Sequence, residues 1–250
     1  MVHIKGFTYP STRENVKTRI SKARGHGYQN VEVTVRLIKF KGDFLRVRKF
    51  RRYLSDYDYI LHTEYEDAAV PWGDDVIASA YIRRILEFTR EVGKMPSAII
   101  LHPGHAFEGL LETVDELSKE LESETTISVE NRPKQCVKRY RDFKKLVKFN
   151  DKVQIDLDIF QLRTATKRDF LKELNNIASN LGERIRCIHI HWKHTIPHHP
   201  KNEIPWNEVF KILSKYNLSV WCIPEVTSVY KHVNEARKYI CELVRTYDVF

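Results

Sequence analysis

CIHIHWKH, residues 187–194, is a short apolar stretch in which every second side chain of its central part is an imidazole. Successive side chains of a β-strand point to opposite faces, so a strand here places His189 and His191 on one face and Ile188 and Ile190 on the other. Both faces of a parallel sheet covered by helices are normally apolar. Two histidines on one face therefore need a reason, and metal ligation, a hydrogen-bonded core pair or a solvent-facing edge strand would each supply one.

Outward from this stretch, strand patterns and helix patterns alternate along the 250 residues. The predicted strands are residues 2–7, 31–40, 57–63, 97–101, 126–129, 153–157, 184–191 and 218–224. The predicted helices are residues 12–23, 76–92, 107–121, 135–148, 167–180, 206–215 and 232–244, with a weaker one at 49–57. This alternation predicts an α/β fold, a (β/α)8 TIM barrel spanning 1–250 as a single domain. A doubly wound open sheet is the alternative, but no Gly-x-Gly-x-x-Gly follows a predicted strand.

The composition is that of a basic globular protein. Hydrophobic residues make up 42% of the chain, and no apolar run approaches the roughly 20 residues needed to span a bilayer. The chain starts directly in a strand pattern without a signal peptide, so we expect a cytoplasmic protein with no membrane segment. The four cysteines are widely spaced, which favours neither a disulfide framework nor a thiolate zinc site. Lys plus Arg is 42 against 33 Asp plus Glu, and the formal charge of +9 favours a polyanionic partner.

Basic residues concentrate in two segments, 36–52 and 135–148. In the first segment phenylalanine and tyrosine interleave with the cations, a pattern found on surfaces that follow nucleic-acid phosphates. A solvated charged face is the simpler interpretation of the same pattern. The candidate nucleic-acid contacts in this segment are Arg46, Arg48, Lys49, Arg51 and Arg52.

Six consecutive predicted strands each bring one His, Asp or Glu close to their carboxyl ends. In chain order these residues are His62, His102, Glu130, Asp156, His189 and Glu225. The carboxyl ends of the strands of such a barrel meet at one mouth, where active sites lie. Without a cation, the carboxylates that line the mouth would repel one another. Mixed nitrogen and oxygen ligands suit Zn²⁺, with Mn²⁺ or Co²⁺ as alternatives.

Short motifs at these strand ends resemble those of a known family. They are LHPG at 101–104, VEN at 129–131, ID at 155–156, IH at 188–189 and PEVT at 224–227. Together they resemble the xylose-isomerase-like TIM barrels. Within that superfamily, the His-Pro-Gly run and LHTEY at 61–65 are most similar to endonuclease IV, the apurinic/apyrimidinic endonuclease family 2. The resemblance extends from the third strand to the eighth.

The resemblance implies a centre with two metal ions. It implies that His62 and His102 hold one ion, which Glu130 bridges to a second. The second ion would be held by a set consisting of Asp156, His189 and Glu225. Such a pair of metal ions supports in-line displacement at a phosphodiester, with Glu130 and Glu225 as the catalytic carboxylates. Tyr65 matches the aromatic residue that family members insert into the duplex at the lesion, which makes DNA the favoured partner.

The sequence departs from the family pattern where a third ion would bind. The histidine expected three residues after the sixth-strand aspartate is replaced by Ile159, and the expected Asp-x-His of a later loop reads Pro197-His198-His199. His191, His198, His199 or Asp158 could rebuild such a site, and exposure to water is the simpler interpretation. Glu66 stands where the inserted tyrosine is normally followed by an apolar residue, which weakens the wedge interpretation.

Three functions remain open at the level of sequence. The first is a metal-dependent phosphodiesterase or endonuclease acting on nucleic acid, with abasic sites as a candidate target. The second is a divalent-metal sugar isomerase or epimerase of the same superfamily, in which Glu130 and Glu225 act as acid and base next to a carbonyl. The third is a nucleic-acid-binding barrel with a decayed site. The number of bound ions separates the first two, and the oligomeric state is not predicted.

Overall fold

Eight parallel strands, each hydrogen-bonded to the next and the last to the first, close a barrel in chain order. The computed structural model describes residues 2–10, 16–36, 51–64, 70–121, 124–216, 218–226 and 230–247. The strands are β1 (Val2–Tyr9), β2 (Asn30–Arg36), β3 (Asp58–Glu64), β4 (Ala98–Leu101), β5 (Thr126–Glu130), β6 (Val153–Asp158), β7 (Ile185–His189) and β8 (Leu218–Ile223). The predicted (β/α)8 TIM barrel is confirmed, and residues 37–40 of the predicted second strand lie outside the described residues.

Helices follow the strands around the barrel. They are α1 (Val16–Gly25), α2 (Asp75–Val92), α3 (Phe107–Glu120), α4 (Tyr140–Phe149), α5 (Ile159–Thr166), α6 (Phe170–Leu181), α7 (Trp206–Ser214) and α8 (Tyr230–Thr246). Residues 51–54 add a short helical turn at the place of the weak predicted helix. None of the helices in these ranges is long and apolar enough to cross a membrane.

One helix begins later than predicted and another was not predicted, each for a local reason. The predicted helix 135–148 begins only at Tyr140, because the preceding loop folds back and the Cys136 amide donates to the Gly104 carbonyl at 2.8 Å. The helix α5 was not predicted. It begins directly at the end of β6, where the Asp158 carboxylate accepts a hydrogen bond from the Gln161 amide at 2.8 Å and so caps it.

The inward-facing side chains of β3, β4 and β7 change from apolar to polar towards the carboxyl ends of these strands. A small buried cluster, Ile60, Ala98, Ile100, Cys187 and Ile223, fills the lower interior. Because side chains repeat on one face every second residue, the next inward positions are His62 after Ile60, His102 after Ile100, and His189 after Cys187. The apolar floor thus ends one step below a buried layer of ionisable groups.

A tight packing arrangement holds the loop that follows β4. The indole nitrogen of Trp72, which is 1% exposed, donates to the His102 carbonyl at 3.0 Å. A Cβ at Gly109 would lie 2.3 Å from the Trp72 carbonyl oxygen, and a Cβ at Gly104 would lie 2.2 Å from the Val70 carbonyl oxygen. Gly104 also has φ +65°, a backbone conformation that residues with a side chain rarely adopt. These contacts fix the backbone that carries His102.

Candidate metal centre

The first group of candidate ligands comes from β3, the end of β4 and β5. His62 Nε2 lies 3.0 Å from His102 Nε2 and 3.3 Å from Glu130 Oε2, and His102 Nε2 lies 3.1 Å from Glu130 Oε2. Ligand atoms bonded to one cation at about 2.0–2.2 Å are separated by about 3 Å, so this triangle has the spacing of a shared ion. All three residues are buried.

A carboxylate that the sequence analysis did not single out orients the first histidine. Glu32, on β2, lies below the mouth with its Oε1 2.7 Å from His62 Nδ1, and both side chains are 2% exposed. Donation from Nδ1–H to Glu32 leaves the Nε2 lone pair directed at His102 and Glu130. A histidine that ligates a metal commonly uses its other ring nitrogen in this way.

Arg132, in the loop after β5, supplies a positive charge to the same group. Its Nε lies 3.0 Å from Glu130 Oε1, and its Nη2 lies 3.0 Å from Glu130 Oε2 and 2.6 Å from His102 Nε2. Burial opposes ionisation of Glu130, but the Arg132 charge and the hydrogen bonds of both histidines hold the pKa of this carboxyl well below its usual value. Burial and the same Arg132 charge lower the pKa of His102. Sequence reasoning also missed Arg132.

The second group of candidate ligands comes from β6, β7 and the end of β8. It contains Asp158, His189 and Glu225, and His189 Nδ1 lies 3.2 Å from Glu225 Oε2. Asp156, the predicted ligand, lies one inward step deeper on β6, with Oδ2 3.1 Å from His189 Nε2. The structure therefore places Asp156 behind His189, as Glu32 lies behind His62, and places Asp158 beside His189 at the mouth.

A third group consists of His191, His194 and Glu225. The His194 amide donates to His191 Nδ1 at 2.9 Å, so in neutral His191 the proton is on Nε2. That nitrogen lies 3.1 Å from both Asp158 Oδ2 and Glu225 Oε2. Burial lowers the pKa of His191 and these two carboxylates raise it, whereas the His194 N–H that faces Nδ1 favours the neutral ring. His191 thus donates to two acids of the second group and positions them.

The turn that carries His194 is strained. Lys193 and His194 have φ of 47° and 57°, in the left-handed region that favours glycine. The turn is closed by hydrogen bonds in both directions between Trp192 and Thr195, and the His194 ring stacks on His191 at a centroid distance of 4.6 Å. Strain of this kind clusters at functional sites.

Other predicted site residues lie elsewhere or outside the described residues. His198 packs against the Tyr239 ring and His199 stacks on Trp192, and neither belongs to any of the three groups found in the described ranges. Tyr65, Arg46, Arg48 and Lys49 lie outside the described residues. Arg51 and Arg52 are exposed, with the Arg51 guanidinium near Gly93 at the carboxyl end of α2.

The carboxyl-terminal half of helix α4 lies near the end of the barrel opposite the mouth. Lys144 and Lys148 line a cleft of about 670 Å³ together with Arg184 and Lys215. Leu218, the first residue of β8, also lines it, so the cleft is at the amino-terminal end of the strands. These cations therefore do not surround the candidate metal centre.

The centre carries more buried acid than permanent positive charge. Counted as whole residues, Glu32, Glu130, Asp156 and Asp158 are each at most 1% exposed, and the Glu225 side chain is 13% exposed. Burial raises the pKa of Asp156, whereas His191, His189 and His194 hold the pKa of Glu225 well below its usual value despite its burial. Buried carboxylates need hydrogen bonds, protons or cations.

The residues present fit divalent ions. Asp156 Oδ1 is buried and has no hydrogen-bond partner among the described residues, and Asp156 Oδ2 and His189 Nε2 have only their 3.1 Å contact with each other. The donor atoms are imidazole nitrogen and carboxylate oxygen, which suits Zn²⁺, Mn²⁺ or Co²⁺. Both buried groups have this mixed composition.

Comparison with known proteins agrees with this arrangement at the level of family and fold. Residues 20–244 match the sequence profile of a family described as Xylose isomerase-like TIM barrel. No curated protein matches the chain. Similar solved structures include a D-tagatose 3-epimerase-like protein (15% identity, TM-score 0.69, 97% of this chain and 98% of that chain). An L-ribulose 3-epimerase is also similar (15%, 0.68, 99% and 96%), as is an AP endonuclease, family 2, from Brucella melitensis (13%, 0.65, 97% and 99%). At such identities the likeness is one of fold.

Proposed function

Because the chain belongs to the xylose isomerase-like TIM barrel family, we propose that it is a metal-dependent phosphodiesterase acting on nucleic acid, with an abasic site in DNA as the first substrate to test. Members of the superfamily are enzymes, among them epimerases, isomerases and endonucleases. The observation that carries the proposal is that the mouth holds two sets of candidate ligands. A His62–His102–Glu130 group lies in the same mouth as the Asp158–His189–Glu225 group, and one-ion chemistry does not need both.

In this proposal each group holds one ion, with Zn²⁺ the first choice and Mn²⁺ or Co²⁺ the alternatives. Glu130 would hold the ion of the first group, and its strand β5 pairs with β6, the strand that carries Asp158 of the second group. Two divalent ions in such a site act as Lewis acids on phosphoryl oxygens and lower the pKa of water.

The remaining chemistry belongs to side chains of this chain. Glu225 is the most exposed of the five acids and can accept a hydrogen bond from the attacking water, which orients it. Its lowered pKa keeps it ionised for this role at neutral pH. Arg132 presents a guanidinium, whose planar fork suits a phosphate. His194, whose side chain is 41% exposed, lies at the rim of the site.

The test combines metal content with turnover. Metal-free protein is loaded with Zn²⁺ or Mn²⁺, the ions per chain are counted by elemental analysis, and a labelled duplex with one abasic site is added. We expect cleavage by wild type, loss of at least about a hundredfold in Glu130→Gln, and no change in Glu120→Gln, an exposed control on α3. An intact duplex after incubation with fully loaded wild type would contradict the proposal.

A sugar epimerase is the second candidate. The Arg132 guanidinium holds Glu130 through one hydrogen bond, from Nη2, and an ion-pair contact of Nε, which favours a single ion at Asp158, His189 and Glu225. Two of the similar structures are an epimerase and an epimerase-like protein. In this alternative Glu130 and Glu225 move a proton on the carbon beside a ketose carbonyl. One ion per chain, together with deuterium uptake at that carbon in heavy water, would favour it.

Binding without turnover is the third possibility. Steeply salt-dependent association with DNA, combined with no reaction in Zn²⁺, Mn²⁺ or Co²⁺, would indicate a nucleic-acid-binding barrel whose catalytic site has decayed.

A further inference from the structure

Arg132 contacts two of the three ligand atoms of the first group. Its Nη2 lies 2.6 Å from His102 Nε2 and 3.0 Å from Glu130 Oε2, two atoms that are themselves 3.1 Å apart. Its Nε forms an ion-pair contact with the other Glu130 oxygen at 3.0 Å. The guanidinium therefore lies against the edge of the triangle where a cation shared by His102 and Glu130 would bind.

The two kinds of cation exclude each other for a chemical reason. Nε2 of a neutral imidazole has one lone pair, and it either accepts the Arg132 N–H or binds an ion. We propose that Arg132 competes with a divalent ion for His102 and Glu130, and so determines how many ions the centre holds. At rest, the first group is closed by the guanidinium and one ion occupies the second group.

This competition would select between reaction classes. The two-ion chemistry proposed above, on which this step of the inference rests, requires Arg132 to leave His102 before the first group fills. A phosphate offers the guanidinium another bidentate partner. One-ion chemistry leaves Arg132 where it is. The competition itself depends on neither reaction, so it can be tested without a substrate.

The experiment measures ion binding to the metal-free full chain. Wild type, Arg132→Met and Arg186→Met are titrated with Zn²⁺ by calorimetry and with Co²⁺ by visible absorption, and bound ions are counted by elemental analysis. Arg186, on β7 with Nη2 3.4 Å from the Ser97 carbonyl, is a control that removes the same charge from the other end of the barrel. Arg132→Gln is a second variant in case Arg132→Met folds poorly, as judged by circular dichroism.

We expect one tight ion in wild type and in Arg186→Met, with any second ion bound at least about tenfold more weakly. Arg132→Met or Arg132→Gln should bind two ions tightly, and adding His102→Ala to either should remove the new one, which distinguishes an opened first group from a general gain in cation affinity. Two tight ions in wild type would overturn the competition while leaving the proposed phosphodiesterase intact. One ion in the Arg132 variants would also overturn it, because the freed group then binds nothing.

Discussion

Replacing Glu32 with glutamine should weaken ion binding at the first group without emptying the second. The Glu32–His62 contact is 2.7 Å between two side chains that are each 2% exposed, so water does not screen it. A hydrogen bond to a charged group contributes about 1.5–3 kcal/mol, and about 1.4 kcal/mol is a factor of ten in affinity. Loss of the carboxylate charge should therefore weaken the affinity of the first group by about ten- to a hundredfold, the usual range for partners that orient metal ligands.

The assay is competition for Zn²⁺ between the metal-free protein and a chromophoric chelator, in the Arg132→Met background where the first group is open. Glu32→Gln should lower one of the two affinities, that of the first group, and Asp156→Asn, which alters the acid behind His189, should lower the other. Glu120→Gln should change neither. If Glu32→Gln binds two ions as tightly as its parent, Glu32 does not orient His62 for an ion and the reasoning is refuted.

Three further predictions concern stability and reactivity. Lys193→Gly should raise the free energy of unfolding in urea by about 1 kcal/mol, because it relieves a left-handed residue at φ 47°; an unchanged or lower value would show that the turn stores no strain. Trp72→Phe removes the hydrogen bond to the His102 carbonyl and should lower the same free energy by about 1–3 kcal/mol, and a smaller loss would mean that the bond contributes little. Burial raises the pKa of Cys136 to about 12, so at pH 8 its alkylation by iodoacetamide should be about a thousandfold slower in folded protein than in urea. Rapid labelling of Cys136 in the folded state, located by mass spectrometry, would contradict that prediction.

The fold could be predicted from the sequence because the side-chain period of strands and that of helices alternate along the chain. Strand and helix patterns gave the strand order, and the closed barrel then brings strand ends together whatever their separation in sequence. For this reason the sequence alone predicts that His62 and His102 lie beside Glu130, and that His189 lies beside Glu225. The helix α5 was missed since it begins with no intervening turn, on an aspartate that serves both strand and cap.

The remaining parts of the centre depend on distances that periodicity does not give. Asp156 and Asp158 face the same way, so the sequence cannot say which of them reaches the mouth without knowing where β6 ends. Glu32 lies in the interior of β2 rather than at its end, and the only sign was an acid between two valines. Arg132 turns back towards Glu130 because of the path of its loop, which no residue pattern encodes.

The packing of Trp72 against two glycines has a consequence for the evolution of this chain. A methyl group at position 109 would collide with the backbone of Trp72, and one at position 104 with that of Val70, so neither glycine can be exchanged while the indole keeps its place. Natural relatives should accordingly retain or lose the tryptophan and both glycines as one unit. In a relative without the tryptophan and the two glycines, the carbonyl of the histidine at position 102 lacks its hydrogen bond from the indole. Relatives of this kind are the ones in which we expect the chemistry of the site to differ.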